Sequence, residues 1–166
     1  MSGGQQHERR EVRGVSDVLV RLASLVEIRA LQLAVLRPDG PLPGDVAPPA
    51  DALHVGAFDD VGAAIGAATI APASWPGPGA LEPPTWQLRS MAVRPDLQGR
   101  GIGRSVLALA VATARERGAV TLWAQARVGA LDFYLGAEWT AVGPVWDKPG
   151  VGPHRYVTLR LAPAPA

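Results

Sequence analysis

The stretch Val93-Arg94-Pro95-Asp96-Leu97-Gln98-Gly99-Arg100-Gly101-Ile102-Gly103-Arg104 decides how this chain is read. An apolar run ends at Pro95, glycines follow at 99, 101 and 103, and a helix-forming run starts at once. Alternate glycines let a backbone turn tightly and bring successive N–H groups close to a ligand. The unpaired N–H groups of a helix's first turn, with the positive end of its dipole, favour a phosphate or pyrophosphate. Arg100 and Arg104 add charge-assisted donors at the same place. A glycine-rich helix entry that merely packs tightly is the simpler reading. The coincidence of glycines, arginines, strand end and helix start weighs against it.

Spacing narrows the ligand. A Walker A loop needs Gly-Lys-Ser/Thr, and the chain's single lysine is Lys148. A dinucleotide fingerprint needs glycines at its first, third and sixth positions, and counting from Gly99 the sixth is Arg104. Residues 119 to 126 also lack the acid that such a site places on the ribose. Nicotinamide and flavin sites are therefore disfavoured.

Working outward, Thr85–Val93 reads as the strand before the junction and Ile102 to Arg117 as the helix after it, with Gly118 as its C-terminal cap. Val120 to Gln125 reads as a buried strand, Ala130 to Leu135 as a short helix, and strands follow near 139–145 and 155–161. Upstream, Leu53 to Phe58 and Ala64 to Ile70 form a hairpin around Asp59-Asp60-Val61-Gly62. Ser16 and Asp17 are expected to start a first helix carrying Leu19, Leu22, Val26, Ala30 and Leu33, which ends near Arg37 before a proline-rich loop over 38–50. The sum is a mixed α/β domain of the α+β type, with a mostly antiparallel twisted sheet flanked by helices. One domain is expected over residues 12–161, with loose segments at 1–11 and 162–166.

Composition excludes other classes. The 166 residues are 48% hydrophobic and 19% charged, enough for a real core. With no cysteine there is no disulfide framework, thiolate nucleophile or Cys-based metal site, and three scattered histidines make no metal cluster. A net charge of +1 argues against a nucleic-acid partner. No apolar run is long enough to span a membrane and the N-terminus lacks a signal-peptide core, so a cytoplasmic protein, monomeric or homodimeric, is expected. The bias toward Gly, Pro, Ala and Arg fits a GC-rich genome.

The run Gln98-Gly99-Arg100-Gly101-Ile102-Gly103, a Gln-x-x-Gly-x-Gly pattern, with Met91-Ala92-Val93 before it and Phe133-Tyr134 after it, resembles the GNAT superfamily of N-acetyltransferases. Val142-Gly143 followed by Gly152-Pro153-His154 is similar to its ElaA-like branch. The resemblance covers residues 85–161 well and the first 84 mainly in element order. It implies a GNAT-like fold and acetyl transfer from acetyl-CoA to a primary amine by direct attack in a ternary complex. It further implies that the backbone of Met91, Ala92 and Val93 pairs with the pantetheine arm and steadies the thioester oxyanion. Gln98, Gly99, Arg100, Gly101, Ile102, Gly103, Arg104 and Ser105 would hold the pyrophosphate, and Tyr134 would protonate the departing thiolate. Read from composition alone, Tyr134 is equally a core tyrosine.

The sequence also departs from the family pattern. Where many members carry a carboxylate on the fourth strand, this chain has Gln87-Leu88-Arg89-Ser90, and arginine is no base at neutral pH. Arg89 is a candidate to hold a substrate carboxylate or to lie against the first helix, with an ordinary ion pair as the alternative. Glu27, His154 and a water chain remain candidates for deprotonating the amine, although Glu27 also reads as an exposed helix pair and His154 as a strand-end or loop histidine. Gln125 stands where asparagine is common, and Glu138 where glycine is common, which puts the geometry around Tyr134 in question. Five tryptophans could pack the core or wall the acceptor pocket. A non-catalytic acyl-CoA-binding module is the alternative function.

Overall fold

In the computed structural model, which describes residues 17–163, breakers and caps set the element boundaries. The loose segment expected over 1–11, the residues up to Ser16 and the last three of the tail lie outside the described residues. The elements are β1 (Leu19–Ala23), α1 (Leu25–Leu36), β2 (Leu53–Phe58), β3 (Ala64–Pro72), β4 (Thr85–Val93), α2 (Ile102–Glu116), β5 (Thr121–Arg127), α3 (Leu131–Gly136), β6 (Thr140–Lys148) and β7 (Gly152–Arg160). They build a seven-stranded sheet in the order β1-β2-β3-β4-β5-β7-β6, antiparallel except for the central β4–β5 pair. Among the described residues no helix is long and apolar enough to cross a membrane.

The expected first helix is corrected at its start. Residues 19–23 are a strand antiparallel to β2, and α1 begins only after Ser24. The apolar spacing of Leu19, Leu22 and Val26 suits a helix, but a capping box interrupts it. The Ser24 side chain accepts from the Glu27 backbone N–H, and the Glu27 carboxylate accepts from the Ser24 backbone N–H at 2.7 Å. That reciprocal pair satisfies donors left over at a helix N-terminus and fixes where the helix starts. Upstream, Asp17 takes a left-handed conformation, φ +77°, which no helix interior accepts.

The helices cover opposite faces of the sheet, and small residues of β3 let both come close. On one face Ile102, Val106, Ala110 and Ala114 of α2 join the main core with Val55, Ala68, Ile70, Leu88 and Leu122. At Gly66 an added Cβ would sit 3.0 Å from Ile102 and 3.3 Å from Val106, so α2 lies on bare backbone there. On the other face Ile28 of α1 packs with Phe58 and Ala67. The cap that fixes this second layer is directly testable. Ser24→Ala should cost about 1 kcal/mol in a urea unfolding titration, and an unchanged midpoint would show that the cap does not set the helix start.

Candidate functional site

The centre of the sheet opens because β4 stops pairing with β5 before either strand ends. Their parallel ladder runs from Thr85↔Thr121 to Leu88↔Ala124, yet β4 continues to Val93 and β5 to Arg127. A β-bulge marks the departure: Arg89 pairs with Thr69 and Ala92 with Ala67, so Ser90 and Met91 together oppose Ala68. Ser90 takes φ +54°, a strained conformation for a residue with a side chain, and so needs support. The support comes from α1. Gln32, only 2% exposed, donates from Nε2 to the Ser90 carbonyl at 3.1 Å and to the Thr69 hydroxyl at 3.1 Å. His54 also bonds Thr69, at 2.9 Å, which gives it a structural place in this network. Gln32 is a polar residue on the buried stripe of α1 four residues after Ile28, a signal the sequence carried unread.

Beyond the open edge lies the glycine junction. Gly99 and Gly101 have φ of +78° and +83°, and a Cβ added at either would meet nothing within 4 Å. Both present open backbone where only glycine holds the conformation without strain. Gly101 is the N-cap of α2, and its carbonyl accepts from the Ser105 hydroxyl and the Ser105 backbone N–H, each at 3.1 Å. Gly103 differs: a Cβ there would press on Phe133 and Val93 at 3.3 Å and Met91 at 3.5 Å, so it brings the helix close to β4. Ile102 is core, Gln98 donates to the Val93 carbonyl at 3.2 Å, and Arg104 donates to the Gly136 carbonyl at 3.4 Å while Arg100 is exposed. The cradle shape and its positive helix end fit a pyrophosphate.

Tyr134 stands on α3, edge-on between Phe133 at 5.2 Å and Trp139 at 5.3 Å. It is buried, and that burial pushes its hydroxyl well above the ordinary phenol value, so it keeps its proton throughout the physiological range. The helix end behind it is intact despite Glu138. That residue adopts φ +71°, the conformation glycine would take, and the Trp139 N–H still reaches the Tyr134 carbonyl at 3.1 Å.

A cavity of about 420 Å³ lies beside the open edge, lined by α1, the 37–46 loop, β4, β5, α3 and the β6–β7 turn. Met91, Arg89, Tyr134 and His154 all face it, while no residue from Gln98 to Ser105 does. The glycine junction and the cavity are therefore separate parts of the site. Glu27 is not in its wall: it pairs with Arg21 at 2.7 Å and serves the α1 cap, and those partners hold its carboxyl down to about 2. His154 is corrected from a loop to strand β7, where it is buried, pairs with Arg127 across the sheet and stacks on Trp146 at 5.2 Å. Its Nδ1 lies 2.8 Å from the Gly152 carbonyl. A carbonyl only accepts, so Nδ1 carries the hydrogen and Nε2 the lone pair. Burial lowers the imidazole below its usual value and keeps it neutral. The tryptophans do not wall the cavity: Trp86 and Trp139 are core, and Trp75 and Trp123 pack with Tyr156.

The charged groups of the cavity wall are mostly cations. Arg29, Arg37, Arg89, Arg127 and Lys148 meet one carboxylate, Asp45, and Arg37 occupies both of its oxygens at 2.7 and 2.8 Å. Arg37 and the Leu42 N–H hold the Asp45 carboxyl far below the usual carboxylate range. These cations were missed as a group because they come from separate elements, and an arginine-rich composition hides them individually.

The support under Ser90 gives a stability prediction. Gln32→Leu should cost about 1 to 3 kcal/mol, because it leaves the Ser90 carbonyl without its donor. A variant as stable as the parent would mean that the bulge stands without α1.

Set against known proteins, residues 23–137 match the family model described as "Acetyltransferase (GNAT) family". The N-acetyltransferase YitI of Bacillus subtilis, itself uncharacterized, is 31% identical over 111 residues, covering 66% of this chain and 72% of that protein. The fold is shared with a Lactobacillus plantarum structure assigned as an N-acetyltransferase (TM-score 0.71, 17% identity, 89% of this chain and 100% of that one). It is shared as well with Escherichia coli ElaA (TM-score 0.63, 18% identity, 85% and 98%).

Proposed function

The chain belongs to the acetyltransferase (GNAT) family, and from that premise we propose that it moves an acetyl group from acetyl-CoA to a primary amine. The observation that carries this reading is the open β4 edge beyond Leu88, flanked by the glycine cradle on one side and by Tyr134 and the cavity on the other. Acetyl-CoA would supply an activated acyl thioester. Met91 to Val93 offer backbone groups on the side that β5 has left, an edge that an extended pantetheine arm can complete as an added strand. Gly99 and Gly101, at the N-terminus of α2, take the pyrophosphate, with Arg100 and Arg104 adjacent. Gly103 serves the same site by packing rather than by contact.

The chemistry asks for two proton movements. The amine must arrive unprotonated to form the new C–N bond, and the sulfur must gain a proton as the C–S bond breaks. Tyr134, kept protonated by burial, is the donor to sulfur. His154, neutral and with Nε2 free to accept, takes the ammonium proton. With no cysteine in the chain an acyl-cysteine route is closed, which is compatible with direct transfer in a ternary complex. The acyl-transfer domain is taken to run over residues 12–161.

Two experiments bear on this assignment. Gly101→Val should weaken acetyl-CoA binding by about tenfold or more, measured by calorimetry. Gly118→Val carries a comparable positive-φ strain, φ +93° with nothing near its Cβ position, and should leave binding as it was. Equal affinities in both variants would remove the cradle from the proposal. For the proton roles, Tyr134→Phe should lower kcat by about a hundredfold or more at an unchanged melting temperature. The histidine base is lost as pH falls through its depressed value, so kcat/KM should show an acid limb below 6.5 that disappears in His154→Gln. A limb that survives the substitution assigns it to another group.

A further inference from the structure

We propose that the acceptor is a small amine that itself carries at least two negative charges, held in the cavity by Arg29, Arg89, Arg127 and Lys148. This rests on the acyl-transfer reading above and specifies its second substrate. The argument is one of unmatched charge. Among the described residues none of these four cations has a carboxylate partner. Arg89 donates to the Val46 carbonyl at 2.6 Å, Arg127 to the Leu36 carbonyl at 3.1 Å, and Lys148 to the Gln125 side-chain oxygen at 3.5 Å. These neutral contacts aim the cations without cancelling them. The cavity's single carboxylate is already bound at both oxygens by Arg37.

Charges gathered this way repel one another. Burial and Arg29 disfavour the charged form of Arg89, and burial with Arg37, Arg89 and Arg127 does the same to Lys148; Asp45 offsets part of this at both, and the net effect on each still runs against the charge. An anion entering the cavity relieves that repulsion, and arginine forks match carboxylate and phosphate oxygens with paired hydrogen bonds. The cofactor's pyrophosphate is not the anion in question, because the glycine cradle lies outside this cavity. A volume of about 420 Å³ suits a small molecule.

The same field bears on the chemistry. A positive surrounding lowers the pKa of an ammonium group and favours the free amine that must attack. It would also repel an acceptor that brought only positive charge. An acceptor with its own anionic groups satisfies both requirements: the anions anchor it, and the residual field helps release its proton. Polycationic amines find no free carboxylate in the cavity.

The test uses the full chain with L-glutamate and O-phospho-L-serine as anionic acceptors, glycinamide as a neutral one and spermidine as a polycation. CoA release should give a kcat/KM for at least one anionic acceptor about tenfold or more above glycinamide and spermidine, and the ratio of the two identifies carboxylate or phosphate as the preferred anion. Separately, calorimetry with N-acetyl-L-glutamate, a non-reacting dianion, should show binding that Arg89→Gln weakens about tenfold while acetyl-CoA affinity holds. Arg29→Gln is the second variant, since Arg29 makes no hydrogen bond to the described fold and its loss should not disturb folding. Spermidine or glycinamide equalling the anionic amines, or dianion binding that is absent or indifferent to both substitutions, overturns the proposal. Dianion binding that meets the expectation in a protein that fails to bind acetyl-CoA would support the anion site and refute acyl transfer.

Discussion

The site depends on a pairing that ends early. β4 and β5 share a parallel ladder only as far as Leu88↔Ala124, and the bulge, the cavity and the glycine junction lie around the gap that follows. Ending a ladder inside a sheet exposes backbone groups, which is costly unless another partner takes them. Here the departure is set by a bulge at Ser90, and the bulge is held from the helix above by Gln32. A helix capped at Ser24 thus controls the shape of a strand some 60 residues later in the chain. Fold and site are coupled through that one side chain.

The two ends of the gap present different chemistry. At the glycine junction the positive character comes from backbone, a helix N-terminus and exposed arginines, an arrangement suited to a pyrophosphate that stays partly in water. In the cavity it comes from the side chains of Arg29, Arg89, Arg127 and Lys148, which form no ion pair among the described residues. Cations around a carboxylate hold it charged and weaken it as a base, and at the strand-four position this chain has Arg89 instead. In the proposed mechanism deprotonation falls to the neutral His154 and to the field, and Tyr134, kept protonated by burial, is the donor to sulfur.

Legibility in the sequence followed locality. The hairpin, β4, α2 and the glycine junction were readable because Pro95, Gly101 and Gly118 punctuate the chain where the structure turns. β1 was not, since Leu19, Leu22 and Val26 run on into α1 with a spacing that suits one continuous helix. The Ser24/Glu27 box was the local sign of the break. Tyr134 and Arg89 were found through family resemblance, and the structure brings both to one cavity. Arg127 and Lys148 were beyond reach because their meaning is long-range, while Gln32 carried a local sign, its place four residues after Ile28, but its partners Thr69 and Ser90 lie dozens of positions away. Gly103 looked like its neighbours at 99 and 101, but it lacks their positive φ and its Cβ position presses on Phe133 and Val93, whereas theirs is open.

The central claim is that the β4 edge left open by β5 receives the acyl-CoA arm. Amide hydrogen exchange over Arg89 to Val93, with and without saturating acetyl-CoA, tests it most directly. The account predicts clear slowing of exchange in this segment when acetyl-CoA is bound, as expected for an edge gaining a strand-like partner. Binding of acetyl-CoA with unchanged exchange from Arg89 to Val93 would contradict it.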